Sequence, residues 1–448
     1  MSILQKIIFL FLIIKEITSI IEIPLTTINI TYKNQPTIIK QESLQKISFF
    51  QNLEIKEDLK INLNSLIYLT IKIGNPSKEF NLLFDTGSIA LWVADKNSDD
   101  KYPIINHFDK TYSKTFKDLK KYFQWKYGSG NVKGYYGEDN IYLNNVNFIH
   151  TFGVAYSTIF PAEKIDGIIG CSRNFYYEKE LLFMNQLYRL GKIKKKVFSV
   201  KNNINNRSLF IGEQHEDFNK KNTGSCSLST NSDYKDIMWT CQLQGFLFGN
   251  YSNFSNNAFY DKNYSTLFFD TGTNFIVFPY HFLKIFYNGL NNSNCNIILS
   301  NDILVICDNL NDNKNFSLIF GYYSFHIPND YLFYKEIYKE KPIYISKIRF
   351  TNEKMIIIGM PFFELFHTLF DGANNQLKFY SDIAEITYIK NKMDFFYLYG
   401  NIIISLVVII IIAILIIALI LMNKKYTNRD LNSNELPLNP RLYPKNDN

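Results

Sequence analysis

The chain contains Phe84-Asp85-Thr86-Gly87-Ser88 and, in its second half, Phe269-Asp270-Thr271-Gly272-Thr273. Each stretch follows an apolar run, which predicts a buried strand that enters a turn where glycine lets the backbone bend sharply. Asp85 and Asp270 would then lie at equivalent strand ends and face one another across a cleft. Two carboxyl groups that share a site do not both ionise easily, so one retains a proton while the other is charged. Such a pair can act as acid and base on one water molecule.

The repeat extends beyond these two stretches. Ile168-Ile169-Gly170 follows the first Asp, and Ile357-Ile358-Gly359 follows the second at a similar distance. This matched order and spacing indicates a chain built from two similar halves. A single Asp-Thr-Gly is a common turn sequence and would favour a solvated corner between a strand and a loop. Two copies with the same surroundings favour a paired site instead.

The pattern of apolar and polar residues in the rest of the sequence predicts an all-β chain. From residue 62 onward, short alternating runs are bounded by Gly, Asn, Asp and Pro, which is typical of strands and turns. Helical patterns are limited to short stretches such as 181–190 and 280–287. The length of 448 residues allows two or three domains, and a hydrophobic content of 46% fits a folded protein.

With these motifs the chain resembles the pepsin-like aspartic peptidases over residues 66–388. Residues 68–76 are similar to the opening strand of that family, residues 126–130 to its flap hairpin, and residues 370–375 to its late strand and turn. The resemblance implies an all-β, bilobal pepsin-like fold, in which two similar β-barrel lobes enclose the active site in the cleft between them. It also implies an aspartic endopeptidase that needs neither a cofactor nor a metal and acts on peptide or protein substrates as a monomer.

The resemblance assigns catalysis to Asp85 and Asp270. It implies that threonines beside them hydrogen-bond across the lobes, and that neighbouring glycine N–H groups and hydroxyls hold the carboxylates. These active-site support residues are Thr86, Gly87, Ser88, Thr271, Gly272 and Thr273. The flap and substrate-binding residues would be Tyr127, Gly128, Ser129 and Trp92, with the indole of Trp92 orienting the hydroxyl of Tyr127. For these two rings ordinary aromatic packing is the alternative.

The five cysteines suit a disulfide-forming compartment. The resemblance implies a disulfide between Cys295 and Cys307. Cys226 and Cys241 flank a predicted hairpin and could bridge its strands, although spacing alone does not establish this. Cys171 is expected to be a buried small apolar residue, with a free reactive thiol as the alternative.

Composition argues against nucleic-acid and metal-dependent functions. The net charge of +7 is modest, and the basic run at residues 192–196 has no interleaved aromatic residues, so no nucleic-acid partner is predicted. The histidines are scattered along the sequence without a zinc-ligand spacing, which predicts surface or structural roles for His107, His150, His215, His281, His326 and His367.

Both ends of the chain carry patterns typical of membrane targeting. Residues 1–19 resemble a signal peptide, and residues 402–422 are uncharged and long enough, at about 1.5 Å per residue, to span a bilayer core of about 30 Å. Lys424 and Lys425 follow that stretch, which predicts a cytoplasmic tail and a single-pass type I topology. The catalytic part would be lumenal or extracellular, in the endomembrane system, a vacuole or lysosome, or at the cell surface, and its Asn-X-Ser/Thr sequons predict a glycoprotein.

The predicted organisation follows from these signals. In order, it consists of a signal peptide (1–19), a prosegment (20–61), an N-terminal lobe (62–212), a C-terminal lobe (213–388), a linker (389–401), a transmembrane helix (402–422) and a cytoplasmic tail (423–448). Two alternatives stay open. Residues 20–61 could be a strand and linker that is never removed, and the protein could be a catalytically silent binder of peptides or partners on the same fold.

Overall fold

The computed structural model describes residues 21–24, 26–31, 62–100, 104, 106–128, 130–159, 165–173, 179–203, 206–229, 237–248, 251–254, 266–290, 294–299, 303–310, 316–338, 340–352, 355–389, 416–417 and 421. The chain forms two compact units, Met1–Tyr388 and Ile389–Asn448. In the second unit the described residues 416–417 and 421 are helical. No helix within the described ranges is both long and apolar enough to cross a membrane. The predicted signal peptide and tail, and nearly all of the predicted span at 402–422, lie outside the described residues.

The first unit is rich in strands, which confirms the prediction of a mostly β fold. Its strands in the first half are β1 (Ile21–Pro24), β2 (Thr26–Thr31), β3 (Asn62–Ile73), β4 (Lys78–Asp85), β5 (Trp92–Asp100), β6 (Lys117–Tyr127), β7 (Gly130–Leu143), β8 (Val146–Ile159), β9 (Gly167–Gly170), β10 (Val197–Asn203) and β11 (Asn206–Ile211). The strands that follow are β12 (Thr223–Ser227), β13 (Thr240–Phe248), β14 (Tyr251–Phe254), β15 (Thr266–Phe269), β16 (Ile276–Pro279), β17 (Cys295–Leu299), β18 (Ile303–Cys307), β19 (Phe316–Phe320), β20 (Tyr323–Ile327), β21 (Phe333–Tyr338), β22 (Lys341–Thr351), β23 (Ile356–Ile358), β24 (His367–Asp371), β25 (Gln376–Tyr380) and β26 (Ile386–Tyr388).

Helices in the described part of this unit are short. The α-helices are α1 (Phe183–Arg189), α2 (Leu283–Gly289), α3 (Asn329–Leu332) and α4 (Met360–Phe363), and the 3₁₀ turns are Lys179–Leu181, Glu216–Asn219 and Tyr280–Phe282. α1 lies within the predicted helical stretch 181–190, and α2 overlaps the predicted stretch 280–287 and ends two residues beyond it.

The described strands form three sheets. One sheet, in the order β2-β3-β4-β9-β5-β8-β7-β6, comes from the first half of the chain. A larger sheet from the second half follows the order β17-β18-β22-β16-β23-β15-β13-β19-β20-β26, with β14 beside β13 and β21 beside β22. The third sheet, β1-β11-β10-β24-β25-β12, takes strands from both halves and joins them.

The two copies of the sequence repeat form the same arrangement of three strands, one in each half of the chain. In the first half β9 pairs in parallel with β4 and antiparallel with β5, and in the second half β23 pairs in parallel with β15 and antiparallel with β16. Each Ile-Ile-Gly therefore lies between the strand that leads to an Asp and the strand that follows it. Gly167 is needed for this close approach, because a Cβ there would lie 1.9 Å from the Trp92 carbonyl oxygen.

Buried aromatic rings fill the interior around these strands. Phe320 and Phe325 stack with ring centroids 4.2 Å apart, and Phe269 meets Phe362 edge to face at 5.6 Å. These arrangements suit the charge distribution of aromatic rings and add to the free energy gained by burying them. Because Phe269 directly precedes Asp270, this packing fixes the strand end that carries the carboxylate.

Two disulfides tie the described part of the second half together, Cys226–Cys241 and Cys295–Cys307. The second links the neighbouring strands β17 and β18. The first does not bridge a hairpin, as the sequence suggested, because β12 belongs to the joining sheet and β13 to the large sheet. Cys171 is free and buried, and burial, with a smaller effect of the Asp85 charge, raises the pKa of its thiol. The thiol is therefore held protonated, which fits the apolar role expected for it.

Part of the predicted prosegment lies in strands. β1 pairs antiparallel with β11 at an edge of the joining sheet, and β2 pairs antiparallel with β3 at an edge of the first sheet. These pairings are compatible with a removable segment and with a permanent N-terminal strand, so both alternatives stay open.

His150 on β8 gives the fold a predictable response to acid. Its side chain is fully buried between Phe148 and Phe183, and neither ring nitrogen has a hydrogen-bond partner among the described residues. Burial lowers the pKa of His150 to about 3. Above about pH 6.5 the imidazole is neutral in both the folded and the unfolded chain. As the pH falls below that value, the unfolded chain binds a proton that the folded protein excludes, so the free energy of unfolding decreases.

We expect His150→Phe to reduce the loss of stability between about pH 6.5 and pH 4 by about 3 kcal/mol, because the substituted ring does not titrate. Chemical denaturation at several pH values measures this difference. Tyr156→Phe, at an exposed residue of the same strand, is the control and should leave the pH dependence unchanged, because a tyrosine hydroxyl does not titrate in this range. An identical pH dependence in wild type and His150→Phe would contradict the expectation.

Candidate active site

Asp85 and Asp270 occupy equivalent positions in the two halves. Asp85 is the last residue of β4, and its carbonyl oxygen accepts a hydrogen bond of 2.8 Å from the backbone N–H of Cys171, just beyond β9. Asp270 directly follows β15, and its own N–H donates to the carbonyl of Ile358 at 3.0 Å. The central strand of each three-strand arrangement thus supports the backbone of its Asp.

Each carboxylate receives a hydrogen bond from the glycine that follows it by two residues. The Gly87 N–H donates to Asp85 Oδ1 at 2.7 Å, and the Gly272 N–H donates to Asp270 Oδ1 at 2.9 Å. Hydrogen bonds from the backbone favour the ionised form of a carboxyl group. Both sites can therefore carry the negative charge of the pair.

The second oxygen of each carboxylate accepts from a hydroxyl. Ser88 Oγ donates to Asp85 Oδ2 in a short contact, and Thr273 Oγ1 donates to Asp270 Oδ2 at 2.6 Å. With both oxygens held, neither carboxyl group can rotate freely. This rigidity places the two acids before a substrate binds.

The two loops approach more closely than any residue larger than glycine permits. A Cβ on Gly87 would lie 2.8 Å from Asp270 Oδ1, and a Cβ on Gly272 would lie 2.6 Å from Asp85 Cγ. This close approach of the loops brings the carboxyl groups of Asp85 and Asp270 into direct interaction. Burial first, and then the charge of Asp270, raise the pKa of Asp85 well above its usual range. The pair therefore retains a proton under acidic conditions in which an isolated Asp would lose it.

Thr86 and Thr271 connect the loops by reciprocal hydrogen bonds. The N–H of each donates to the hydroxyl oxygen of the other, at 3.1 Å and 3.0 Å. The Thr86 hydroxyl then donates to the Phe269 carbonyl at 2.9 Å, and the Thr271 hydroxyl donates to the Phe84 carbonyl at 2.7 Å. Both threonines are fully buried, so these bonds do not compete with water.

The β6–β7 hairpin brings an aromatic side chain to the dyad. Tyr127 ends β6, and its hydroxyl oxygen accepts a hydrogen bond of 3.0 Å from the indole N–H of Trp92. The hydroxyl also interacts with Ser88, which holds Asp85. Burial, followed by the charge of Asp85, raises the pKa of Tyr127, so the phenol stays protonated. Gly128 forms the described part of the hairpin turn, and Ser129 lies outside the described residues.

A second cluster of titratable groups lies away from the dyad, and sequence spacing did not reveal it. His367 on β24 has Nε2 2.9 Å from Ser199 Oγ and Nδ1 3.0 Å from Asp217 Oδ2. The order Ser–His–Asp is that of a nucleophilic triad. Ser199 is 0% exposed, however, so its hydroxyl cannot reach a substrate.

The same cluster contains three groups that could surround a metal ion, His215, Asp217 and His367. The amines of Lys201 and Lys220 already contact the Asp217 carboxylate, at 2.8 Å and 2.5 Å. Their charges oppose a bound cation, so we assign the cluster a structural role between β10 and β24. His215 and His367 are distant in sequence, and the fold brings them together beside Asp217.

The threonine pair can be tested with matched substitutions. Thr86→Val keeps the branched shape but removes the hydroxyl, leaving the Thr271 N–H and the Phe269 carbonyl without this partner. We expect a loss of about 2 kcal/mol in stability and at least about a tenfold loss of turnover. Thr86→Ser keeps the hydroxyl and should change both much less. Thermal melts and peptide cleavage measure the effects, and a normal valine variant would show that the hydrogen bonds do not position the dyad.

Comparison with known proteins agrees with this geometry. The sequence profile of the family described as eukaryotic aspartyl protease matches residues 67–381. The chain is 24% identical to Renin-2 of Mus musculus over 333 residues, which covers 71% of this chain and 80% of that protein. It is 24% identical to gastricsin of Oryctolagus cuniculus over 334 residues, 71% of this chain and 81% of the relative. It is 30% identical to cathepsin D of Gallus gallus over 151 residues, 32% of this chain and 38% of the relative. The chain therefore belongs to the eukaryotic aspartyl protease family and is an aspartic-type endopeptidase.

Proposed function

We propose that the protein hydrolyses peptide bonds with a water molecule activated between Asp85 and Asp270, and that it does so while anchored in a membrane of the secretory system. The observation that carries the catalytic part is the close, symmetric pair of carboxyl groups. Gly87 and Gly272 permit the approach, and each carboxylate has both oxygens held. The family relationship supports the same reaction class.

The chemistry follows from the single proton that the carboxyl pair retains, as the raised pKa of Asp85 indicates. In the mechanism that we propose, Asp85 holds this proton and Asp270 acts as the base. Asp270 takes a proton from the water as its oxygen bonds to the peptide carbonyl carbon, and Asp85 gives its proton to the carbonyl oxygen. The product is a neutral diol. Asp270 then passes its proton to the nitrogen, the C–N bond breaks, and Asp85 recovers a proton as the carbonyl re-forms.

Tyr127 has a positioning role in this proposal. Its protonated hydroxyl, held by Trp92, lies over the Asp85 side of the dyad and can exclude water when a peptide is bound. Gly128, at the turn next to Tyr127, borders open space, since a Cβ there would meet nothing within 4 Å. We propose that this hairpin opens to admit a substrate and closes over it. Substrates would thus enter as extended peptides beneath the hairpin.

We expect Asp85→Asn and Asp270→Asn each to reduce cleavage of a fluorogenic peptide library by at least about 10³-fold, because either change removes one half of the acid–base pair. Wild-type activity should be highest in acid. It should fall as the pH rises through the raised pKa of Asp85, because the pair then loses the proton needed for the carbonyl oxygen. Equal cleavage by wild type and Asp85→Asn at every pH would favour a silent peptide-binding protein.

The anchoring part rests on the uncharged residues 402–422 and the lysines that follow them. We expect the full chain to remain in membranes after an alkaline carbonate wash, and a chain ending at Gly400 to be released as a soluble, active protein. Fractionation followed by the peptide assay measures both. Release of the full chain by carbonate would remove the anchor from the proposal and leave the catalytic part intact.

A further inference from the structure

The first half of the chain contains a cavity of about 390 Å³ that is separate from the carboxyl pair. Residues of β3, β4, β5 and the loop after β5 line it. Lys78, one of the lining residues, begins β4, and Asp85 ends that strand, so at about 3.3 Å per residue the two lie roughly 23 Å apart. Cavities of this size hold small molecules in many proteins, which makes this one a candidate binding site.

Hydrogen bonds fix the loop after β5 against its neighbours. The Phe108 N–H donates to the Ala94 carbonyl at 2.7 Å, and the Phe108 carbonyl accepts from the Lys96 N–H at 2.8 Å. The N–H of Asn75, in the turn between β3 and β4, donates to Ser113 Oγ at 2.9 Å. The loop is thus attached both to β5 and to that turn. The cavity is therefore formed before a ligand enters, which lowers the cost of binding.

Aromatic rings supply the apolar part of the cavity lining. Phe80 and Phe108 are buried, and their ring centroids lie 6.3 Å apart. Tyr112, which also lines the cavity, is 57% exposed. An apolar group that enters the cavity would cover part of this ring and remove apolar surface from water. This part of the lining suits a ligand with an aromatic ring.

The charged part of the lining is positive on balance, with two lysines and one aspartate. Lys96 is already used, because its amine pairs with Asp109 Oδ2 at 2.7 Å. The amine of Lys78 donates to the neutral His107 carbonyl at 3.2 Å and lies 6.0 Å from the centre of the Phe80 ring. Among the described residues no carboxylate forms an ion pair with Lys78. Since an ammonium group has three N–H donors, Lys78 can still donate to an anion.

We propose that this cavity binds a small carboxylate that carries an aromatic ring. The carboxylate accepts from Lys78, and the ring packs against Phe80, Phe108 and Tyr112. A free aromatic acid and the C-terminal end of a peptide both offer this chemistry. Because the cavity lies at the far end of β4 from Asp85, binding there is independent of peptide cleavage.

The test is titration calorimetry on the full-length protein in detergent, with phenylacetate, N-acetyl-L-phenylalanine, the neutral amide of each acid, and acetate. We expect at least one of the two aromatic acids to bind with a Kd below about 1 mM. Its amide should bind at least about fivefold more weakly, because it lacks the charge that Lys78 pairs with. Acetate, which has no ring, should not bind at the same concentrations. Binding of phenylacetate would identify a free acid as sufficient, and binding of N-acetyl-L-phenylalanine alone would identify the end of a peptide chain.

Matched substitutions locate the binding site. Lys78→Met should reduce the affinity for the acid at least about fivefold, to that of the amide. Lys72→Met, at an exposed lysine of the neighbouring strand β3, should leave it unchanged. Tyr112→Ala should weaken acid and amide alike, because both lose the ring contact. Tyr122→Ala, at an exposed tyrosine of β6, is its control.

Three results would overturn the proposed site: no binding of either aromatic acid, equal affinity for an acid and its amide, or acid binding that survives Lys78→Met. The first two need only wild type, so they decide the question even if a variant does not fold. The third would place the ligand elsewhere on the protein. A protein that binds the acid through Lys78 but cleaves no peptide would retain this site and lose the proposed peptidase function.

Discussion

The reciprocal hydrogen bonds between Thr86 and Thr271 are the contact on which the site depends. Each hydroxyl accepts from the backbone of the opposite loop and donates to the carbonyl that precedes the opposite Asp. A shift of one loop therefore breaks bonds made by both. Because the contact is buried, each broken bond leaves a polar group without water, which makes the arrangement stiff. The two halves consequently position the carboxyl groups as one unit.

A series of contacts connects the Asp85 loop to the β6–β7 hairpin. Ser88 donates to Asp85 and interacts with Tyr127, which in turn accepts from Trp92. Trp92 begins β5, which pairs with β9, the strand that braces the Asp85 loop. The ring of Tyr127 is therefore oriented by the same three-strand arrangement that positions the Asp85 carboxylate. In the proposed mechanism, closure over a substrate and acid–base geometry thus depend on the same strands.

The dyad could be predicted from sequence because its signal is local and made twice. Asp85 and Asp270 each follow an apolar run and are followed two residues later by glycine. Neighbouring residues therefore supply both the carboxyl group and the turn that positions it. The contact of Ser199 with His367 could not be predicted, because it depends on the antiparallel pairing of β10 with β24 across the chain. The same holds for the burial of Arg349 on β22, which is 7% exposed. Its sequence neighbours give no reason to bury a cation, and only the register of β16 against β22 places it beside the ring of Phe275.

Opposing protonation requirements limit the pH range in which such a protein can work. In the proposed mechanism the dyad needs a shared proton, and burial together with the second carboxylate raises the pKa of Asp85 so that this proton is kept in acid. The fold, by contrast, needs His150 and His367 neutral, because burial lowers their pKa values to about 3 and about 4. Loss of the catalytic proton sets the upper limit, and protonation of unfolded imidazoles weakens the fold toward the lower one. The favoured pH interval is therefore mildly acidic. There the carboxyl pair is still singly protonated, and protonation of the two histidines in the unfolded chain has lowered the free energy of unfolding only in part.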